Sequence, residues 1–236
     1  MTQTNLSVPT VVLVHAAWAD ASSWGKIIPP LQRRGLQAVA VQIPLSSLSD
    51  DAGWCCWWHA SGGAVITAAG SGNSKVKALV YIAAMASDEG ETVGELLHRA
   101  TPHASAPALV PDEDGFLWMS AKGFADAVSP ESSADDALLM AATQKPIAIK
   151  SVQEQMTKPA WKRKAFLVSG GGTRSHDRSR NSAIQGSSYR RPDSCGGSGP
   201  HSTCLCADRV VAIITHAVDA VTHEAVADPQ RIGRRA

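Results

Sequence analysis

The sequence predicts an α/β fold, with a mostly parallel sheet and helices on both faces. Two observations carry the prediction: short, uniformly apolar strands, and helices that alternate with them. Residues 10–15 form a β-branched run typical of a strand buried on both faces. A second strand is predicted at 36–43, and between the two lies a helix at 22–34 that Gly35 ends. Strand, helix and strand within about 35 residues predict a βαβ unit with parallel pairing.

The alternation continues along the chain. A helix is predicted at 64–70 after a Gly-rich turn, and a third strand at 76–84. Residues 92–145 are rich in Ala and helical in character, although prolines interrupt them. A fourth strand is predicted at 165–168, and the apolar spacing within 207–224 predicts a last helix.

Composition limits the function classes. The chain has 236 residues, enough for one large domain or two small ones, and its net charge is +1, so no nucleic-acid partner or polybasic membrane anchor is expected. No apolar run reaches the ~18–20 residues of a membrane span, and the first residues do not resemble a signal peptide, so a cytoplasmic location is expected. Neither the loop after the first strand nor Gly170–Thr173 matches a nucleotide-binding motif, so no nucleotide cofactor is expected. Five cysteines, an odd number, do not indicate a disulfide framework.

Two segments are candidates for chemistry, because parallel sheets place their sites at the carboxyl ends of the strands. The first is the loop that starts at His15, directly after the first strand. The second is Ser61-Gly62-Gly63, which resembles the turn of a nucleophilic serine before an apolar helix. It meets the G-x-S-x-G pattern only in part, since His59 occupies the first position. An ordinary Gly-rich turn is the alternative, because short Ser-Gly-Gly strings are common in loops.

Longer strings together make a more specific pattern. The sequence resembles bacterial α/β-hydrolases of the salicylate-esterase-like type. The resemblance covers roughly 1–51, 59–169 and the last helix, and it implies one α/β-hydrolase domain over 1–236 with a helical cap at 92–160. The matching strings are residues 9–15, 18–24, 38–45, 63–67, 75–81, 88–91, 111–118 and 144–148.

The resemblance implies a serine hydrolase that cleaves a small ester or related acyl substrate without a cofactor or metal. Ser61 is the implied nucleophile, His201 the base and Asp177 the acid that orients it. The backbone N–H groups of Ala17 and Gly62 are the implied oxyanion donors. His15 is expected to be a structural hydrogen-bonding residue rather than a proton carrier.

An apolar substrate pocket is expected where the cap meets the first loop. Trp18, Phe116 and Trp118 are the candidate lining residues, together with Leu117 and Met119. The alternative is that the cap side chains only pack the cap onto the core. The substrate's identity and the oligomeric state do not follow from the sequence.

The resemblance breaks before the helix that follows Ser61. Aligning that helix without a gap puts Ala60, not Ser61, at the nucleophile position. Only about 17 residues separate Pro44 from Ser61, which leaves little room for a crossover helix and a strand. Residues 54–58 read Trp-Cys-Cys-Trp-Trp, and their codons shifted by one base encode an aliphatic strand. We therefore hypothesise that 52–60 is frame-shifted or degraded, with an unusual aromatic strand as the alternative.

Residues 170–206 are the least regular part of the chain. They are dense in Gly, Ser and Arg, and we expect an irregular or disordered segment, partly out of the ancestral frame. Since the implied acid and base lie there, the alternative function is an impaired hydrolase remnant or a non-catalytic binding protein. Two further interpretations are less favoured. One is a zinc module, but the spacing of its ligands matches no standard zinc site. The other is nucleic-acid contact by arginines, for which a solvent-exposed loop is the favoured alternative. The zinc module would use Cys195, His201, Cys204 and Cys206, and the nucleic-acid contact Arg174, Arg178, Arg180, Arg190 and Arg191.

Overall fold

The strands form two parallel pairs and one short antiparallel ribbon. The structure is a computed structural model that describes residues 9–53, 60–82, 84–98, 109–127, 133–169 and 207–227. Strand β1 (Thr10–Val14) pairs with β2 (Gln37–Val41), and β3 (Ala78–Ile82) pairs with β6 (Ala165–Ser169), both in parallel. The ribbon joins β4 (Phe116–Leu117) to β5 (Ile147–Ala148). The four strands predicted from apolar runs are all present.

The segment between β1 and β2 contains two short helices rather than the single helix predicted at 22–34. A 3₁₀ helix covers Ala21–Trp24, and α1 covers Ile28–Arg33 with its two prolines in the first turn, where proline costs no hydrogen bond. Asp20 caps the 3₁₀ helix by accepting a hydrogen bond from the N–H of Ser22 at 2.7 Å. Gly35 ends the segment as predicted, with a left-handed φ of 78°.

Helix α3 (Ala60–Ala69) begins four residues earlier than the predicted helix at 64–70. Ser61-Gly62-Gly63 is therefore helical, and the prediction that these residues form a turn is wrong. Two consecutive glycines have a low helix propensity, so tertiary packing must stabilise the helix at these positions. Helix α2 (Leu48–Gly53) precedes α3 and packs against it. Residues 54–59, which include the aromatic stretch and its frame-shift hypothesis, lie outside the described residues.

The segment 92–160, which is called the cap below after the prediction made for it, contains the ribbon β4–β5 as well as helices. The ribbon is not apparent from the sequence, since each of its strands has only two residues. It is fixed by the turn before it, where the carbonyl of Gly115 accepts a hydrogen bond from the N–H of Ile149 at 2.9 Å. The cap helices are α4 (Val93–His98), α5 (Ala121–Ala127), α6 (Ala134–Ala142) and α7 (Ile149–Gln153).

The core surrounds β3, whose five residues are all buried, as expected for a strand of a parallel sheet that is covered on both faces. A 3₁₀ helix at Ala160–Lys162 leads into β6, and the last helix, α8, covers Ala207–Ala227. Helices α3 and α8 both contact β3. In the ranges given above, no helix combines the length and the apolar character needed to cross a membrane.

Candidate active site

The buried ring of His15 connects the ends of β1 and β2. The ring's Nε2 accepts a hydrogen bond from the N–H of Ile43 at 3.1 Å, and Nδ1 lies 2.9 Å from the carbonyl oxygen of Ala16. These contacts require the neutral tautomer with its proton on Nδ1. Burial lowers the pKa of His15, and nearby Lys145 lowers it further. The expectation that His15 is a structural hydrogen-bonding residue is confirmed by these contacts.

The loop after β1 places Trp18 in a strained conformation. Its φ is 57°, in the left-handed region that bulky residues avoid. The indole N–H of Trp18 donates a hydrogen bond to the carbonyl of Leu117, in the cap ribbon, at 2.9 Å. Ala17, the predicted oxyanion donor, is buried immediately before Trp18. Strain of this kind persists only where surrounding contacts impose it, and it concentrates at functional sites.

The two glycines of α3 bring the start of that helix against two loops. A Cβ added to Gly62 would lie 2.9 Å from the carbonyl oxygen of His15, in the loop that leads to Ala17. A Cβ added to Gly63 would clash with the backbone of Met85, in the loop after β3. Glycine is therefore required at both positions, and this close packing explains why the double glycine is helical.

The predicted triad falls largely on parts of the chain that the structure does not describe. Ser61 is the second residue of α3, and its side chain is outside the described set. His201 and Asp177 both lie within 170–206, also outside it, so their roles stay predictions. The predicted oxyanion residues are better located: Gly62 packs against the loop that contains Ala17.

A cavity of about 310 Å³ lies between this loop and the cap. Trp18 lines it, and most of the other apolar wall comes from α5 and α6; that Trp18 contacts substrate stays a prediction. Phe116 and Trp118 are not among its lining residues. Trp118 is 48% exposed, and its indole N–H donates to Asp112 Oδ2 at 2.8 Å. The apolar walls are Trp18, Phe124, Leu139 and Met140, and the polar rim includes Asp20, Lys26 and Asp136.

Sequence reasoning missed a buried carboxylate beside this site. Asp51, on α2, is fully buried, and its Oδ1 accepts a hydrogen bond from the N–H of Leu45 at 2.8 Å. Burial disfavours the charged carboxylate and raises the pKa of Asp51 to about 6, although the hydrogen bonds to the carboxylate lower it. No motif marks Asp51, which follows another aspartate in a polar stretch. Among the described side chains, no group of three or more His, Cys, Asp or Glu is arranged to hold a metal ion.

Comparisons with solved structures show what this arrangement resembles. A variant of tomato methylketone synthase I in complex with beta-ketoheptanoate matches with a TM-score of 0.64 and 14% identity, over 90% of this chain and 98% of that chain. The chain has an α/β-hydrolase fold. Polyneuridine aldehyde esterase gives a TM-score of 0.54 and 14% identity, over 67% of this chain and 80% of that chain.

A third match extends the α/β-hydrolase comparison to a bacterial protein. It is an extracellular α/β-hydrolase from a Paenibacillus species, described as sharing structural and functional homology with tobacco salicylic acid binding protein 2. Its TM-score is 0.55 at 16% identity, over 67% of this chain and 76% of that chain. No protein-family model matches the sequence, and no curated protein matches it. The prediction of an α/β-hydrolase fold is confirmed; at 14–16% identity, the likeness concerns the fold.

Proposed function

We propose that this chain is a serine hydrolase that cleaves a small ester or related acyl compound, with Ser61 as nucleophile, His201 as base and Asp177 as acid. The serine attacks the carbonyl carbon while the histidine takes its proton, and the histidine later returns a proton to the leaving group. Backbone N–H groups of Ala17 and Gly62 stabilise the negative charge on the carbonyl oxygen.

The observation that carries this proposal is the packing of Gly62 on the carbonyl of His15. That contact brings the first turn of α3 against the loop that contains Ala17. Acyl-transfer hydrolases of this fold take one oxyanion donor from each of these two segments. The likeness to polyneuridine aldehyde esterase and to the Paenibacillus hydrolase supports the same reaction class.

The substrate is proposed to be small, with an apolar acyl group in the cavity beside Trp18. About 310 Å³ lies at the lower end of the range for small-molecule sites, and its apolar walls come from the cap. Among p-nitrophenyl esters, the butyrate is therefore expected to be hydrolysed faster than the palmitate, whose chain exceeds the cavity. Faster hydrolysis of the palmitate would contradict this assignment of the pocket.

Covalent labelling of the full chain with a fluorophosphonate probe tests the nucleophile. The wild-type chain is expected to take up the probe, and Ser61→Ala to abolish labelling while circular dichroism shows an unchanged fold. Ser74→Ala, at an exposed serine between α3 and β3, is the matched control and should label normally. Folded wild-type chain that takes up no probe would overturn the proposal.

A second candidate function is a binding protein of this fold without hydrolase activity. It is favoured by the position of Ser61 inside α3, one residue beyond the position that a gap-free alignment gives to the nucleophile. In that case Ala60 occupies the nucleophile position, and the wild-type chain takes up no probe. Labelling that appears only in Ala60→Ser would support this candidate.

A further inference from the structure

Two strained residues mark the ends of neighbouring strands. Trp18, with φ 57°, follows β1, and Leu45, with φ 61°, follows β2. Within the described parts of the chain, they are the two residues other than glycine with a positive φ. Since β1 and β2 are parallel, both residues lie at the same edge of the sheet, where sites of this fold class form.

The cap ribbon holds both strained residues. On one strand of the ribbon, the carbonyl of Leu117 accepts the indole N–H of Trp18 at 2.9 Å. On the other, the N–H of Ala148 donates to the carbonyl of Leu45 at 2.8 Å. Leu117 and Ala148 belong to paired strands, so the two strained loops are fastened to a single hydrogen-bonded element.

Two further hydrogen bonds connect the ribbon to the loops after β2 and β1. Lys145, just before β5, donates from Nζ to the carbonyl of Ile43. The N–H of Ile43 in turn donates to His15 Nε2 at 3.1 Å, which ties the loop after β2 back to the loop after β1. The ribbon and the two loops thus form one connected unit. The indole hydrogen bond of Trp18 joins a side chain of the loop after β1 directly to the cap.

We propose that Trp18 is a positioning residue, whose indole hydrogen bond to the cap ribbon fixes the backbone of Ala17 for oxyanion binding. This inference rests on the proposed function. Because Trp18 is bonded directly to Ala17, release of its left-handed backbone shifts Ala17 and with it the donor N–H, which lies on the peptide between Ala16 and Ala17. An oxyanion donor stabilises the transition state only when it is already in place, so the displacement slows the chemical step rather than weakening binding.

The test compares Trp18→Phe with Trp118→Phe in the full chain. The first substitution keeps an aromatic ring on the cavity wall and removes the indole donor. The second removes an indole donor with a similar hydrogen-bond length directly after β4, where its partner is the exposed Asp112. Fluorophosphonate labelling is measured over a range of probe concentrations, to separate the maximal rate from the half-saturating concentration.

Trp18→Phe is expected to reduce the maximal labelling rate about 10-fold or more, a partial loss of one oxyanion donor, while the half-saturating concentration changes less than about twofold. Trp118→Phe should match the wild type in both quantities. An unchanged maximal rate in Trp18→Phe, or a change confined to the half-saturating concentration, would overturn the inference while the proposed function stands. Absence of labelling in the folded wild type would instead overturn the proposed function together with this inference.

Discussion

Asp51 provides the sharpest test of the packing beside the site. Its carboxylate is fully buried; Oδ1 accepts the N–H of Leu45 at 2.8 Å, and Oδ2 lies 3.4 Å from the hydroxyl of Ser151. Burial raises the pKa of Asp51 from 3.8 to about 6. The folded state therefore binds this proton more tightly than the unfolded state. The stabilisation from proton binding is fully present below the unfolded pKa and is lost as the pH rises through 6.

The substitution Asp51→Asn removes this pH dependence. Asparagine has the same shape and no charge, so its carbonyl still accepts from Leu45 and its amide donates to Ser151. A shift of about two pKa units corresponds to roughly 3 kcal/mol of unfolding free energy at neutral pH. About 2 kcal/mol of that difference should develop between pH 4 and pH 7.5, because the unfolded carboxyl is already partly ionised at pH 4.

The assay is urea unfolding followed by tryptophan fluorescence, at both pH values, for the wild type and the variant. Asp51→Asn is expected to be more stable than the wild type at pH 7.5 and close to it at pH 4. Asp50→Asn, on the exposed side of the same helix, controls for the loss of a negative charge. A stability difference between Asp51→Asn and wild type that stays constant from pH 4 to pH 7.5 would refute the reasoning.

Two other substitutions test the packing of the site. Gly63→Ala is expected to lower the free energy of unfolding by about 3 kcal/mol, because the added Cβ clashes with the Met85 backbone. Gly94→Ala is the control: its added Cβ has its nearest neighbour at 3.4 Å, so the free energy of unfolding should change by less than about 1 kcal/mol. Equal effects of the two in urea unfolding would contradict the assigned packing. His15→Ala is expected to cost about 3 kcal/mol, because it leaves a cavity and a buried N–H of Ile43 without its acceptor. A loss below about 1 kcal/mol would show that the ring does not link the two loops.

The strands were predictable because their signal is local. Residues 11–14, Val-Val-Leu-Val, are all apolar, and an uninterrupted apolar run of this kind by itself indicates a strand covered on both faces. The last helix was equally predictable, since its apolar residues recur at helical spacing and the structure buries Val210, Val211 and Ile214. These local signals, together with the longer strings of the resemblance, were sufficient for the α/β-hydrolase fold.

The pocket was only partly predictable. Trp18 follows the first strand of a parallel sheet and lies beside a cavity, while its contact with substrate stays a prediction. Phe124 and Met140, which complete the apolar wall, lie in cap helices whose orientation no local pattern specifies. Phe116 and Trp118 were chosen as aromatic residues of the cap, but neither lines the cavity, and the indole of Trp118 is half exposed and donates to Asp112 instead.

The sequence by itself determined the class of fold, the positions of its four longer strands along the chain and the loop that follows β1. Only the tertiary structure decided that Gly62 and Gly63 are helical and that the cap ribbon holds Trp18 and Leu45 in strained conformations. The same holds for the burial of Asp51 and its raised pKa. The physical reason is that hydrophobic periodicity reports which side of a segment is buried, whereas strain, close backbone approach and desolvation depend on groups distant in the chain.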